Sequence, residues 1–361
     1  MNFDIIIMYI YVRKAARKMR RIFEGLIGND GLKKKLFSDV ISGSLSHAYI
    51  IEGKRGSGRH TVAKMTAAAL SCENRESISL PLPCGECLAC RKIFSDNSPD
   101  VITVGREDKA SIGVDAARFL RSDIRVIPND LEYKVYIVED ADTMTVQAQN
   151  ALLLSLEEPP SFVKFFLLCE DAGGMLETIR SRAQILRTEP VVAEAIDSYL
   201  TEHYPEALRM KRSDPRAFAE LIMTAQNSIG EAISLLDPKY SKKYSEIRAV
   251  SREFTEAIVN GIDSEKAALL ISKFDSKREA FSVQLESILL SIRDLIALSK
   301  SENAPLLFYY DREEALALSD SVGTRVLVRT YDAVNKILDS LSANANVRLS
   351  LLKLFSDTGI L

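Results

Sequence analysis

The sequence predicts an α/β protein whose parallel sheet carries a phosphate-binding loop, followed by an all-helical region. Apolar runs alternate with helical segments from residue 48 to residue 186, which is typical of parallel strands joined by crossover helices in a three-layer α/β domain. A glycine-rich loop follows the first apolar run, and the strand signals mostly end after Pro190. A chain of 361 residues has room for two or three domains.

Composition and the N-terminal segment exclude several classes of protein. The net charge of −3 argues against a strongly basic nucleic-acid binder, although it leaves room for a local basic face. The apolar run at residues 5–12 is far shorter than the about 20 residues of a transmembrane helix. Basic residues follow this run, whereas a signal peptide carries them in front of it. We therefore expect residues 1–20 to be a disordered or mis-assigned N-terminal extension of a cytoplasmic protein without a membrane partner.

The first elements of the chain frame the loop. Residues 48–51 predict a buried strand, preceded by a helix with apolar residues at positions 32, 36, 37, 40 and 41. Gly53 and Gly58 have the spacing of the motif G-x-x-x-x-G-K-[ST], with Gly56 between them. In that motif the loop N–H groups and the N-terminus of the next helix face a phosphate anion.

Two residues depart from the motif at the positions that carry its chemistry. Arg59 stands in place of the lysine that reaches the β- and γ-phosphates, and His60 stands in place of the hydroxyl that holds Mg²⁺. The helix after the loop is predicted to begin near Thr61. These replacements argue against ATP hydrolysis in this loop and leave nucleotide binding open.

Four cysteines predict a metal site. Cys72, Cys84, Cys87 and Cys90 form two overlapping C-x-x-C units closed by one upstream cysteine, and four thiolates are a ligand set that holds Zn²⁺ in a closed, structural site. The alternative is a group of unrelated buried thiols, which the three-residue repeat disfavours. Cys169 lies in an apolar run and is interpreted as a core thiol.

The later strands bring acids to the same edge of the sheet as the loop. Residues 134–138 predict a buried strand that ends in Glu139 and Asp140. An acid at such a strand end coordinates Mg²⁺ or orients water in P-loop proteins, and the alternative is an acidic helix N-terminus stabilised by the helix dipole. Ligands of parallel sheets bind at the carboxyl ends of the strands, where both the acids and the loop fall.

The remaining elements follow from periodicity and proline. We predict strands at residues 101–104, 165–168 and 185–186, and a helix at 145–157 that ends before Pro159 because proline removes a donor. A helix that opens at residues 111–115 presents one apolar side: Ala117, Leu120, Ile124 and Ile127.

The helical region begins with three predicted short helices, at residues 191–203, 214–226 and 228–236. Two longer amphipathic helices beyond Pro238 carry apolar stripes that we interpret as core or subunit-contact faces: Phe281, Leu285, Ile288, Leu289, Ile292, Leu295 and Ile296 in one, and Leu327, Tyr331, Val334, Leu338 and Leu341 in the other.

From about Phe23 onwards the chain resembles the bacterial replicative clamp-loader subunits of the AAA+ class, and among them the delta-prime subunits of DNA polymerase III. The resemblance rests on the combination of the cysteine cluster with five short stretches, at residues 46–49, 150–153, 156–159, 178–183 and 344–349. It implies an AAA+ P-loop domain at residues 21–190 with a zinc module at 72–90, a three-helix lid at 191–238, and a helical collar at 239–361 that joins five subunits in a ring.

The resemblance also implies site residues. Arg182 corresponds to the arginine of the family's Ser-Arg-Cys motif, which acts in trans as a finger on the ATP of a neighbouring subunit, although Ala183 replaces the cysteine. From its chemistry alone, Arg182 would be a solvated surface arginine. Glu231 stands where the family's lid carries a phosphate-sensing arginine, and Cys169 and Glu170 stand where polar sensing residues are expected.

These departures predict a non-hydrolysing clamp-loader subunit without an ATPase of its own. The implied partners are the ATPase (tau/gamma) and delta subunits, the sliding clamp, and primer-template DNA held in the assembled ring. One alternative is an ATP-hydrolysing tau/gamma-type subunit of the same loader. The other is a zinc-dependent nucleic-acid binding module with a vestigial nucleotide fold, which the near-neutral charge disfavours.

Overall fold

The structure is a computed structural model that describes residues 22–77, 79–106, 111–342 and 345–360. The predicted N-terminal extension, residues 1–20, lies outside the described residues. Two compact units divide the chain: residues up to Ile196 together with Asn227–Gly230 form one, and Asp197–Gln226 together with Glu231–Leu361 form the other. Within the part of the chain that the structure describes, every helix is too short or too polar to cross a membrane.

A five-stranded parallel sheet organises the first unit, as the alternation of apolar runs predicts. In the order β2-β3-β4-β1-β5, its strands are β1 (Ala48–Glu52), β2 (Val101–Val104), β3 (Lys134–Val138), β4 (Val163–Cys169) and β5 (Gln184–Arg187). Every pairing is parallel. The carboxyl ends of β1, β3 and β4 therefore lie side by side at one edge of the sheet.

Helices cover both faces of this sheet and make it the middle of three layers. They are α1 (Asp30–Ser42), α2 (Arg59–Leu70), α3 (Leu88–Phe94), α4 (Val114–Asp123), α5 (Val146–Glu157) and α6 (Glu177–Arg180), with single 3₁₀ turns at Ala141–Thr143 and Ala172–Gly174. Successive residues of a strand face opposite sides. Phe166 accordingly stacks on Tyr49 on one face, and Phe165 stacks on Tyr136 on the other.

Local signals in the sequence set the ends of these helices. Thr145 caps α5, because its hydroxyl accepts a hydrogen bond from the N–H of Ala148 at 3.2 Å, and the helix ends at Glu157, before Pro159. The apolar side predicted for the helix after residue 111 is wrong at Ile127. The helix α4 ends at Asp123, so Ile127 no longer follows helical periodicity and is 70% exposed.

Helices make up the rest of the chain: α7 (Ala193–His203), α8 (Pro205–Ser213), α9 (Pro215–Thr224), α10 (Ile229–Ser234), α11 (Pro238–Asn260), α12 (Ser264–Ser272), α13 (Arg278–Leu298), α14 (Arg312–Asp320), α15 (Thr324–Ser342) and α16 (Val347–Thr358). The prediction of three helices between residues 191 and 238 is wrong, because α8 is a fourth. Pro205 stands at the first helical position of α8, where proline is tolerated.

The core of the second unit confirms the two predicted apolar stripes. In α13 the side chains of Phe281, Leu285, Ile288, Ile292 and Leu295 are fully buried, and in α15 those of Leu327, Val334 and Leu341 are buried. Four phenylalanine rings, Phe254, Phe274, Phe281 and Phe355, contact one another edge to face. The apolar side chains thus close a helical core of their own.

Candidate functional site

The predicted phosphate loop connects β1 to α2. Gly56 and Gly58 have φ values of 75° and 91°, a left-handed region in which side chains with a Cβ are strained. Gly58 is the N-cap of α2, so the helix begins at Arg59 rather than near Thr61, which is exposed in its first turn. The N-terminus of α2, a 12-residue helix, therefore faces the space that the loop encloses, as in phosphate-binding loops.

A glycine is required at position 53 because Thr188, the residue after β5, lies close to it. A Cβ at this position would lie 1.8 Å from the hydroxyl oxygen of Thr188. The same hydroxyl is 2.9 Å from that of Ser57, so the residue after β5 fixes the middle of the loop. The glycine that the motif demands is thus a packing requirement in this chain as well.

Arg59 places a buried positive charge beside the loop. Its side chain is only 10% exposed, and Nη2 lies 3.9 Å from Oε1 of Glu170. Nη1 is buried and has no hydrogen-bond partner among the described residues. A buried guanidinium N–H without an acceptor is costly, and an anion in the loop would satisfy it. The residues at this position therefore fit a phosphate group, although the lysine is missing.

The two strand-end acids separate in the structure. Glu139 faces the loop, with Oε1 at 3.7 Å from Nε2 of His60. Asp140 has a φ of 48° and pairs with Nε of Arg106 at 2.9 Å. Mg²⁺ is held by oxygen ligands in a near-ideal octahedron, and the position that should supply a hydroxyl supplies an imidazole. This edge of the sheet therefore fits a magnesium ion poorly.

Gly230 is the residue that approaches the loop from the segment after residue 226. Its N–H donates to the carbonyl oxygen of Gly56 at 3.0 Å, and the hydroxyl of Ser228 donates to the carbonyl of Arg55 at 3.1 Å. A Cβ at Gly230 would lie 2.7 Å from Cα of Gly56. Glu231, the predicted sensor position, accepts a hydrogen bond from the hydroxyl of Tyr240 at 2.8 Å. Ser228 and Gly230 thus hold this segment on the loop, and the role of Glu231 as a sensor stays a prediction.

Cys169 and Glu170 occupy the end of β4 next to the loop strand. Burial raises the pKa of the Cys169 thiol to about 12, so it is neutral at physiological pH. The N–H of Glu170 donates to Oδ2 of Asp142 at 3.0 Å, while its carboxylate is the partner of Arg59. A neutral thiol and an acid thus stand where polar sensing residues are expected, and the negative charge of Glu170 would repel a γ-phosphate.

Arg182 follows α6 and differs from Arg59 in being accessible. Its side chain is 35% exposed, and Nη2 donates to Oε1 of Glu157 at 2.8 Å. Nη1 donates to the carbonyl oxygen of Thr178 at 2.9 Å. The N–H of Leu176, at the start of α6, donates to Oε1 of the buried Gln149 at 2.7 Å. The helix α5 therefore holds the Arg182 segment from both ends.

The four predicted metal ligands are brought together. The sulfur atoms of Cys72, Cys84, Cys87 and Cys90 lie within 4.8 Å of one another, and all four residues are buried. A tetrahedron with metal–sulfur bonds of about 2.3 Å spaces its sulfurs about 3.8 Å apart. The sulfurs of Cys84 and Cys90 lie 3.9 Å apart. The cluster therefore fits a metal ion bound by four thiolates.

Hydrogen bonds around the cluster favour the thiolate at Cys84, whereas burial raises the pKa of Cys72 and of Cys90, so these two thiols would lose their protons to a bound metal. The N–H of Cys87 lies 3.4 Å from the sulfur of Cys84, and the N–H of Cys90 lies 3.4 Å from that of Cys87. Burial alone would raise the pKa of Cys84, but hydrogen bonds from Asn74 and from the N–H groups of Cys87 and Glu86 lower it to about 6. The thiolate is the form that binds metal.

Three features of the site were not predicted from the sequence: the unsatisfied nitrogen of Arg59, the contact of Gly230 with the loop, and the ion pair of Glu157 with Arg182. The first two depend on contacts between distant stretches of chain, which periodicity does not report. Glu157 lies in one of the stretches on which the family resemblance rests. That resemblance could have indicated a role for Glu157.

Comparisons with known proteins identify the relatives of this chain. A family described as DNA polymerase III, delta subunit, matches residues 28–192. The tau subunit of DNA polymerase III from Bacillus subtilis (strain 168) is 31% identical over 220 residues, which are 61% of this chain and 38% of that protein. The gamma subunit from Buchnera aphidicola (subsp. Acyrthosiphon pisum) is 28% identical over 311 residues, which are 81% of this chain and 82% of that protein.

A solved structure, the DNA polymerase III gamma subunit-related protein of Thermotoga maritima, aligns with 90% of this chain and 97% of its own at a TM-score of 0.44 and 17% identity. The sequence relatives confirm the resemblance to DNA polymerase III clamp-loader subunits. Their names are tau and gamma, so the closer resemblance to delta-prime subunits stays a prediction. The chain spans less than half the length of the Bacillus tau subunit.

Proposed function

We propose that the chain is a subunit of a DNA polymerase III clamp loader, the assembly that uses ATP to place a sliding clamp on primed DNA. Its partners are the ATPase (tau/gamma) and delta subunits, the clamp, and primer-template DNA in the assembled ring. Similarity to the delta family and to tau and gamma subunits supports the proposal. The proposed subunit would act in the cytoplasm, where DNA is replicated.

Within the loader, the chain has a delta-prime-like role and does not hydrolyse ATP. The observation that carries this role is the imidazole of His60 facing Glu139 at 3.7 Å, where Mg²⁺ would need a hydroxyl and a carboxylate. The metal bridges the β- and γ-phosphates and neutralises charge in the transition state, so a loop that cannot hold it loses most of its rate. The acids at Glu170 and at the predicted sensor position, Glu231, act in the same direction.

Arg182 gives the chain a part in a neighbour's reaction. Its guanidinium is accessible and fixed at two points, which suits a group that must meet a phosphate from outside the chain without reorganising. A finger of this kind stabilises the charge on the transferred phosphoryl group. The role of Arg182 in trans is part of the proposal.

The second candidate is an ATP-hydrolysing subunit of the tau/gamma type, and the names of the relatives favour it over the first. The buried charge of Arg59 and its unsatisfied nitrogen also fit a loop that binds phosphate. The chemistry of His60 and of the strand-end acids favours the non-hydrolysing role. Nucleotide binding and nucleotide hydrolysis must therefore be measured separately.

The cysteine cluster holds a structural zinc ion in this proposal. Its four thiolates leave no ligand position open for substrate, and the sulfur of Cys90 lies 3.9 Å from the carbonyl oxygen of Ala68 in α2. The metal would thus brace the helix that follows the phosphate loop.

ATP turnover by the isolated chain, measured beside ATP binding, tests the proposal. We expect turnover at background level, and we expect the chain to raise DNA-stimulated turnover when it is reconstituted with tau/gamma and delta subunits. Rapid hydrolysis by the isolated chain that Arg59→Ala abolishes would establish the second candidate instead. Failure to join the other subunits would exclude both.

A further inference from the structure

The ion pair between Arg182 and Glu157 leaves N–H donors of the guanidinium available to another molecule. Arginine has five N–H donors. Nη1 uses its donors on the carbonyl of Thr178 at 2.9 Å and the hydroxyl of Ser181 at 3.4 Å, and Nη2 uses one on Glu157 at 2.8 Å. The N–H of Nε and the second N–H of Nη2 have no partner among the described residues. These two donors belong to a side chain that is 35% exposed.

The position of Glu157 follows from the end of α5. It is the last residue of the helix, because Pro159 and Pro160 prevent a further turn. The final carbonyl groups of a helix lack intrahelical partners and carry a partial negative charge. The guanidinium therefore meets the carboxylate of Glu157 beside the negative end of α5, and both attract it to the same place.

We propose that Glu157 is a positioning residue for Arg182: it fixes the guanidinium on one edge so that its two unused donors face a phosphate supplied by a neighbouring molecule. This inference rests on the function proposed above and assigns a role to a residue that the finger itself does not explain. Guanidinium N–H donors form charge-assisted hydrogen bonds with phosphate oxygens. A guanidinium already held in place loses less conformational freedom on binding than a free one.

A competing effect has the opposite sign. A carboxylate beside the arginine also competes with the phosphate for its positive charge. Water screens this competition because the side chains of Arg182 and Glu157 are 35% and 43% exposed, and exposed pairs are weak. The phosphate carries more negative charge than a single carboxylate, and two donors remain for it. Orientation is therefore the larger effect.

The test uses the loader reconstituted with tau/gamma and delta subunits, primed DNA and ATP. Glu157→Ala should lower kcat for DNA-stimulated ATP turnover about two- to fivefold, the range that corresponds to an exposed ion pair, with KM for ATP unchanged. Glu157→Gln keeps an acceptor oxygen and should lower kcat less. Glu158→Gln is the matched control, since Glu158 is the exposed neighbour, and it should behave as wild type.

The variants separate this inference from the function on which it rests. If Arg182→Ala lowers kcat and Glu157→Ala does not, Glu157 has no positioning role. A rise of kcat in Glu157→Ala would show that the carboxylate holds the arginine back, which also overturns the inference. If Arg182→Ala itself leaves kcat unchanged, the finger assignment in the proposed function fails instead. A fall of KM and kcat together with a lower Tm would identify a merely structural contact.

Discussion

The phosphate loop and the Arg182 segment belong to the same sheet unit, and they place an arginine in opposite environments. Arg59 is 10% exposed and lies 3.9 Å from its nearest acid, whereas Arg182 is 35% exposed and lies 2.8 Å from Glu157. A buried charge can serve only an anion that enters the loop, while an accessible charge can serve an anion that arrives on another molecule. The loop has the backbone of a phosphate-binding loop but an imidazole in place of the magnesium-binding hydroxyl. The Arg182 guanidinium is held by two hydrogen bonds and is accessible to solvent.

Loss of the proposed zinc ion should have the largest effect on stability. We expect this effect in the loop region and not in the Arg182 segment. Cys90→Ser should lower the metal content from about one zinc per chain to none and destabilise the first unit by several kcal/mol, since structural zinc contributes about 10–16 kcal/mol in small zinc peptides. Metal analysis and thermal unfolding measure both quantities.

Hydrogen exchange can locate the damage in the Cys90→Ser variant. Exchange should rise in α2, which carries Ala68, and change little in α6. Cys169→Ala is the control, because Cys169 is buried outside the cluster and its loss should leave the zinc content unchanged. Wild-type protein that folds without metal would contradict the zinc assignment.

A smaller effect should follow from Gly230→Ala, which forces a side chain against the loop. The new Cβ would meet the backbone of Gly56 at 2.7 Å, and overpacking of this kind costs about 1–3 kcal/mol. Denaturant unfolding of the isolated chain measures the loss. Gly113→Ala is the matched control, because a Cβ there has no neighbour within 4 Å and φ is −81°. Equal stability of the two variants would show that the segment does not press on the loop.

Local patterns predicted most of the fold. Apolar runs bounded by glycine and proline located the five strands, and the cysteine spacing located a cluster whose four sulfurs converge. The predictions failed at two places. A fourth helix, α8, lies between residues 191 and 238, and Ile127 continues an apolar pattern beyond the end of its helix.

The candidate site was less predictable, because it depends on tertiary contacts. The substitutions at Arg59 and His60 were visible in the motif, but the burial of Arg59 and the distance from His60 to Glu139 depend on the pairing of distant strands. The contact of Gly230 with the loop was not predicted, and the assignment of Glu231 as the sensor position stays a prediction.

In the proposed function, this chain contributes to ATP turnover through Arg182 and not through its own loop. The direct test compares Arg59→Ala and Arg182→Ala in the reconstituted loader, with DNA-stimulated ATP turnover as the measurement. Arg187→Ala serves as the control, since it removes an exposed arginine that pairs with Glu52. An arginine finger is worth about 10³–10⁵ in kcat in other systems. We therefore predict that Arg182→Ala nearly abolishes turnover at the neighbouring site while Arg59→Ala and Arg187→Ala leave turnover near wild type. Loss of turnover in Arg59→Ala with normal turnover in Arg182→Ala would show that the chain's own loop hydrolyses ATP and that Arg182 is not a finger.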